Sequence, residues 1–436
     1  MTNEIVDIRV LIVAEHASAK FGGEAILPLH YYRVLRQRKI PTWLIVHERT
    51  RLELEALFPK DDNRIVFVSD TVFHCVLWRC SRFLPARLAS FTTGFVMRLV
   101  TQLAQLRVIR QLVHDEKISV IHQPTPVSPK EPSMIYGTGV PVVIGPMNGG
   151  IDYPHAFRRK QGRAERFTLA AGRRLSAVMN HLIPGKRQAA ILLVANERTR
   201  KALPLGVCNR VVTLVENGVD LALWKSSFSR KPRSPSEITR YALVGRLIDW
   251  KAVDLLLLAF KRASMQALMS LTIVGDGIER KNLEQLAGSL GLLDNGAWNQ
   301  PGKVSFCGWM SQAQCAEQLQ QCDVLVLPSL MECGGAVVLE AMAMEIPVIA
   351  TAWGGPADYL DSSCGILVEP TSKDAFIENL ASALIRLATF PQEQVAMGKA
   401  GRAKVIRYFD WNVKVDHILE LYKDVIASNS VDSRDT

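Results

Sequence analysis

Two carboxylates, Glu332 and Glu340, bracket the glycines Gly334 and Gly335 in PSLMECGGAVVLEAMAMEIPVIATAWGG, a stretch that directly follows the apolar run DVLVLP. In a helix rising 1.5 Å per residue, acids eight positions apart would sit about 12 Å from each other. That is wider than the roughly 5–10 Å at which a glycosidase holds its two acids across one bond. Acids so far apart can instead accept hydroxyl hydrogen bonds from two different sugars of one ligand. The pair Arg246 and Lys251 in VGRLIDWK offers a forked guanidinium and a compact ammonium, the complement of a diphosphate joining those sugars. Gly334 and Gly335 precede AVVLEAMAM, so the free N–H groups of a helix start would face phosphate or sugar oxygens. Together these residues read as a site for a nucleotide-diphosphate sugar.

Further glycines follow apolar runs. Gly275 and Gly277 in TIVGDGIERK allow a tight turn, but position 280 is Arg, so the segment is not G-x-G-x-x-G and is a weak phosphate signature. Gly308 in VSFCGW ends another apolar run, where backbone groups could read a base edge. His122 in SVIHQP and His16 in VAEHAS follow strands, and each lone histidine reads as structural rather than catalytic.

Such residues need strands whose carboxyl ends present them. Short β-branched runs alternate with helical stretches in both halves: IRVLIVAE, PTWLIVHE, NRIVFVS, ISVIHQ and VPVVIGP, then YALVGRL, LTIVGDG, KVSFCGW, DVLVLP, PVIATA and GILVEP. The alternation predicts parallel sheets with crossover helices. Between the halves lies SSFSRKPRSPSEITR, a linker or exposed edge. The expected class is α/β, with two doubly wound, Rossmann-like domains facing across a cleft. Residues 1–216 form the first domain, 217–407 the second; an amphipathic helix at about 408–427 crosses back to the first, and 428–436 is a disordered tail.

With 436 residues, 48% of them hydrophobic and 22% charged, the chain has the composition of a folded globular protein. No apolar run approaches the roughly 18 residues of a membrane span, and the N-terminus, with acids before its short apolar run, does not read as a secretory signal. The expected location is the cytoplasm, with the inner face of the plasma membrane as a candidate attachment. Eight scattered cysteines without a C-x-x-C suggest neither disulfides nor a zinc site. The net charge of +10 is uneven: residues 1–216 hold 31 Lys and Arg against 17 Asp and Glu. That asymmetry points to an anionic partner. The run FRRKQGRAERFTLAAGRRLSAVMNHLIPGKR lacks the aromatic pattern of an RNA motif, so a membrane surface is a better fit than nucleic acid.

Taken in order, FGGE, ENGVD, VGRLIDWK, VGDG, FCGW and the E-x7-E element of ECGGAVVLEAMA…PVIAT…GG resemble the retaining glycosyltransferases of family 4, the group 1 type, which have a GT-B fold. The resemblance covers most of residues 217–410, and the first domain in outline. It implies that Arg246 and Lys251 hold the donor diphosphate, that Glu332 contacts the donor sugar and Glu340 the ribose, and that Gly22 and Gly23 let the backbone approach the donor phosphates. It also implies no metal or other cofactor, a glycan or glycolipid acceptor, and retention of configuration with help from the leaving phosphate. The sequence departs from the pattern at Gly334, where relatives have an aromatic, and at Glu345-Ile346, which displace a glycine. It departs again at Pro146-Met147-Asn148, where many relatives have a histidine, and Asn148 with Gly149 and Gly150 becomes the acceptor-side candidate. A nucleotide-sugar epimerase, a glycogen-synthase-like transferase and a non-catalytic nucleotide-sugar-binding subunit are the competing readings.

Overall fold

The computed structural model describes residues 8–83, 90–160, 172, 175–226, 230–234, 236–294 and 300–432. It divides into two compact units. Unit 1 comprises 1–150, 163–216 and 411–436; unit 2 comprises 151–162 and 217–410.

Unit 1 is built on a parallel sheet of seven strands: β1 (Val10–Val13), β2 (Thr42–His47), β3 (Ile65–Val68), β4 (Val120–Gln123), β5 (Val142–Met147), β6 (Ile191–Val194) and β7 (Val211–Thr213). Their spatial order is β3-β2-β1-β4-β5-β6-β7. Strands such as VLIV and TWLIVH are apolar on both faces because helices cover both sides, and every residue in them is buried. The helices that matter here are α1 (Ile26–Gln37), α2 (Val72–Ser81) and α3 (Phe95–Asp115).

Unit 2 repeats the plan with β8 (Thr239–Val244), β9 (Met269–Val274), β10 (Val304–Gly308), β11 (Val324–Leu327), β12 (Val348–Thr351) and β13 (Gly365–Val368). The order is β10-β9-β8-β11-β12-β13, again parallel throughout. Helices α4 (Val253–Ala263), α5 (Ala336–Ala343) and α6 (Lys373–Thr389) pack around it. The apolar stripe of α4, Leu255, Leu256 and Phe260, joins Phe376, Leu380 and Leu384 of α6 in one core.

The final helix, α7 (Trp411–Asp432), belongs to unit 1. Its buried residues Trp411, Val415, Ile418, Tyr422 and Val425 recur at spacings of four and three, the stripe that lets a helix dock along α1. Trp411 stacks on His30 at 4.8 Å. The helix continues through Asp432, so the expected end near 427 and a disordered tail from 428 are corrected. The segment ASNSVD at 427–432 carries no Gly or Pro to break the helix. Residues 433–436 lie outside the described residues. A second correction concerns 151–162, assigned above to the first domain. Tyr153 and Phe157 bury themselves in the core of unit 2, Phe157 against Phe376 at 6.1 Å, which draws the segment there.

Candidate functional site

In a doubly wound sheet, the strand order reverses at a switch point, and ligands bind beyond the carboxyl ends of the two strands that flank it. In unit 2 those strands are β8 and β11. The loop after β8 carries Arg246 and Lys251, and the loop after β11 carries Glu332, Gly334 and Gly335. Residues 81 positions apart are therefore brought side by side, and Lys251 Nζ donates to Glu332 Oε2 in a partly buried ion pair. The backbone joins the same loops, with Leu330 N–H donating to the Trp250 carbonyl at 2.8 Å. Arg246 is exposed and makes no ion pair among the described residues.

Glu332 is fixed from a third loop. After β12 the chain turns through Gly354 (φ 74°), and Gly355 N–H donates to the Glu332 carbonyl at 2.7 Å. A Cβ on Gly354 would lie 2.2 Å from that carbonyl oxygen, and one on Gly355 would lie 2.1 Å from the Gly334 oxygen. Only glycines allow these loops to approach so closely. Trp353 Nε1–H donates to the Asp152 carbonyl at 2.8 Å, tying segment 151–162 to the same loop. The sequence reading did not assign Trp353, Gly354 or Gly355 a role; the signal was the run AWGG following a strand.

Gly335 takes a left-handed conformation (φ 77°) as the N-cap of α5, and no side chain caps that end. The first N–H groups of the helix thus stay available to a ligand. Glu332 lies outside this helix, so the 12 Å estimate for two helical acids does not apply. Glu340 lies inside it, and burial pushes its carboxyl up to about 8. A carboxyl in that range is a hydrogen-bonding group held short of full ionisation at neutral pH.

Gly275 and Gly277 prove to be packing glycines. Their Cβ atoms would fall 1.9 Å from the Gly245 oxygen and 2.3 Å from the Leu247 oxygen, so the β8 and β9 loops interlock backbone to backbone. Gly308 (φ 76°) accepts from Gly275 N–H at 2.8 Å and is approached by the Arg280 guanidinium. Arg280, which broke the glycine motif, pairs with Glu284 at 2.8 Å.

In unit 1 the switch point lies between β1 and β4. Gly22 and Gly23 occupy the exposed loop after β1, with nothing within 4 Å of a Cβ at either position. They are open to a ligand. Asn148 is not: it is 5% exposed, and its Nδ2 donates to Glu216 Oε1 at 2.5 Å while its Oδ1 accepts from Thr199 Oγ1 at 3.3 Å. The amide expected to face an acceptor is engaged inside the unit, because the β5 and β6 loops close over it.

His122 is fully buried; its Nε2–H donates to the Gly145 carbonyl at 2.7 Å and Tyr422 O–H donates to its Nδ1 at 2.6 Å. Burial lowers its pKa to about 4, so the neutral ring bridges β4, β5 and α7. His16 sits beside His47 and Phe21, at 6.1 and 5.2 Å between ring centres, and burial likewise lowers it to about 4.

Residues 225–404 match the family model described as glycosyl transferases group 1. The fold is GT-B. The Anabaena protein HepE, solved in complex with UDP, superposes with a TM-score of 0.64 over 96% of this chain and 100% of its own, at 17% identity. The lipopolysaccharide outer core galactosyltransferase WaaB gives 0.60 over 97% and 99%, at 15% identity. By sequence, the D-inositol 3-phosphate glycosyltransferase of Segniliparus rotundus is 28% identical over 231 residues, 50% of this chain and 48% of the relative. The match thus spans about half the length of the curated relatives, and the segment covered by the family model contains Arg246, Lys251 and Glu332.

Proposed function

We propose that this protein is a retaining, metal-independent glycosyltransferase of the family 4 type. It moves a hexose or related sugar from a nucleotide-diphosphate donor to a glycan or glycolipid acceptor, in the building of a cell-surface polysaccharide or lipopolysaccharide. The observation that carries this reading is the convergence of Arg246, Lys251, Glu332 and the uncapped start of α5 on the β8/β11 switch point. That is one guanidinium, one ammonium, one acid and a set of backbone N–H groups: donors for a diphosphate and an acceptor for sugar hydroxyls, on loops locked by glycine contacts.

In this reading Arg246, which is exposed, grips the diphosphate in a fork, and Lys251 supplies the second charge. Glu332 holds donor-sugar hydroxyls, Glu340 the ribose, and Gly22 and Gly23 approach the phosphates. Charge building on the departing phosphate is stabilised by Arg246, Lys251 and the helix start, and that phosphate takes the acceptor proton on the face it leaves, so configuration is retained. The residues supporting the reading come from the segment matched by the family model, and the UDP bound by HepE fits the same donor class.

Thermal shift against UDP-, GDP- and ADP-sugars identifies the donor, since a ligand binding only the native state raises the melting temperature. NMR of the product anomer, run in excess EDTA, tests the chemistry. An inverted product refutes retention; activity lost in EDTA and restored by a divalent ion refutes metal independence.

A further inference from the structure

Helix α2 is apolar on the wrong side for a helix of a water-facing surface. Its inward stripe is His74, Leu77 and Ser81, with His74 Nε2 hydrogen-bonded to Thr101 Oγ1 of α3 at 2.9 Å. The outward face carries Phe73 (71% exposed), Val76 and Trp78, and Phe83 just beyond the helix is 89% exposed. Arg82 lies over the Trp78 ring at 5.4 Å. A soluble surface rarely groups large apolar side chains this way, and contiguous apolar area marks an interaction site.

A second helix, 175–182, repeats the pattern. Leu175, Val178 and Leu182, at spacings of three and four, are all exposed. It is anchored at its other face, where Asn180 Nδ2 donates to the Lys130 carbonyl at 2.8 Å. The neighbouring residues return to α3: Arg98 pairs with Glu131 at 2.5 Å, and Met134 N–H donates to Gln102 at 2.8 Å. Both apolar helices are therefore pinned to the first turns of α3. Because α2 follows β3 and the Lys130 loop follows β4, both lie toward the carboxyl edge of the unit 1 sheet.

Charge decides what covers this face. The charged residues of this face are Arg79 and Arg82, both exposed and in no ion pair among the described residues, and from Thr71 to His114 the chain carries no Asp or Glu. A protein partner or a second copy of the chain is ordinarily met by both signs of charge, whereas an anionic leaflet tolerates only one. Trp78 and the arginines suit the headgroup level, and Phe73, Val76 and Phe83 the acyl boundary below it.

We propose that the outward face of α2, namely Phe73, Val76, Trp78 and Phe83 with Arg79 and Arg82, docks unit 1 on an anionic lipid bilayer, with helix 175–182 as a second apolar contact. This deepens the glycosyltransferase reading and rests on it for one point only, that the acceptor's lipid part lies in the bilayer. The docking itself is independent of the chemistry. Part of the basic run named in the sequence, including Arg163, lies outside the described residues, and the proposal does not use it.

The test is sedimentation of the full chain with phosphatidylcholine vesicles that do or do not contain phosphatidylglycerol. Binding is expected only with the anionic lipid and should weaken as salt rises. Arg79→Gln/Arg82→Gln should lower the partition about fivefold per arginine. Phe73→Ser/Phe83→Ser should remove the binding that survives in high salt. Both pairs are exposed, and unchanged melting curves check that the variants fold. Equal recovery in the supernatant with both vesicle types, or anionic binding untouched in both variants, overturns the proposal. So does a dimer on size exclusion that the phenylalanine variant dissolves, which would give the face to a second copy. UDP binding measured on the same samples keeps the two readings apart: a chain that binds UDP but ignores vesicles loses the docking face alone.

Discussion

Lys251 and Glu332, on the loops after β8 and β11, are joined as an ion pair across the switch point of unit 2. A diphosphate that engages Lys251 must therefore compete with Glu332 for it. The two substitutions should behave oppositely toward a bare nucleoside diphosphate. Lys251→Ala and Arg246→Ala weaken UDP binding, because the phosphate loses a charge contact. Glu332→Ala leaves the affinity unchanged or tightens it, yet lowers turnover about 100-fold or more through lost sugar contacts. Calorimetry with UDP beside steady-state kinetics checks this; equal loss of UDP affinity in Glu332→Ala and Arg246→Ala would contradict the roles.

Gly354 and Gly23 should separate packing from ligand approach. Alanine at Gly354 forces its Cβ against the Glu332 carbonyl at 2.2 Å with φ at 74°, costing roughly 1–3 kcal/mol and displacing Glu332. Gly23→Ala meets open space and should melt like the wild type. Activity lost in Gly23→Ala with an unchanged melting temperature would locate a ligand's backbone approach at that loop.

Glu340 should leave a pH signature. Its pKa is raised by burial from the ordinary range near 4.5 to about 8, so the native state binds more protons than the unfolded chain between those values. Stability contributed by the protonated form is present at low pH, falls as pH rises through that window, and is level above it. Glu340→Gln removes this fall. The variant should gain on the wild type between about pH 5 and about pH 9 in urea midpoints, and parallel curves would rule the assignment out.

Tyr422→Phe tests the seam between α7 and the sheet of unit 1. Losing its O–H leaves the buried His122 Nδ1 without its donor, at a cost of about 1–3 kcal/mol. Because neither group contacts a ligand in the reading above, KM and kcat at low temperature should stay near wild type while the melting temperature drops.

The amino-acid sequence carried the α/β alternation, the parallel sheets and the loops rich in chemistry, because apolar runs of period and length are local properties that survive without a partner. It also carried Arg246, Lys251 and Glu332, since each follows a strand end, and the topology of a doubly wound sheet leaves such loops on one edge. Other features depended on contacts between distant residues. That Lys251 pairs with Glu332 follows from β8 and β11 lying next to each other. That Asn148 is bound to Glu216 and Thr199 follows from the closing of the β5 and β6 loops. Gly275 and Gly354 look alike in sequence with Gly23, yet two are fixed by carbonyls about 2 Å from a Cβ and one by nothing at all. The outward face of α2 was legible only in part: WRCSRFLPARLASFTTGFVMR reads as a surface mixing aromatics and arginines, whereas Phe73 and Val76 have the composition of a core, and only the packing of His74 against α3 turned them toward solvent.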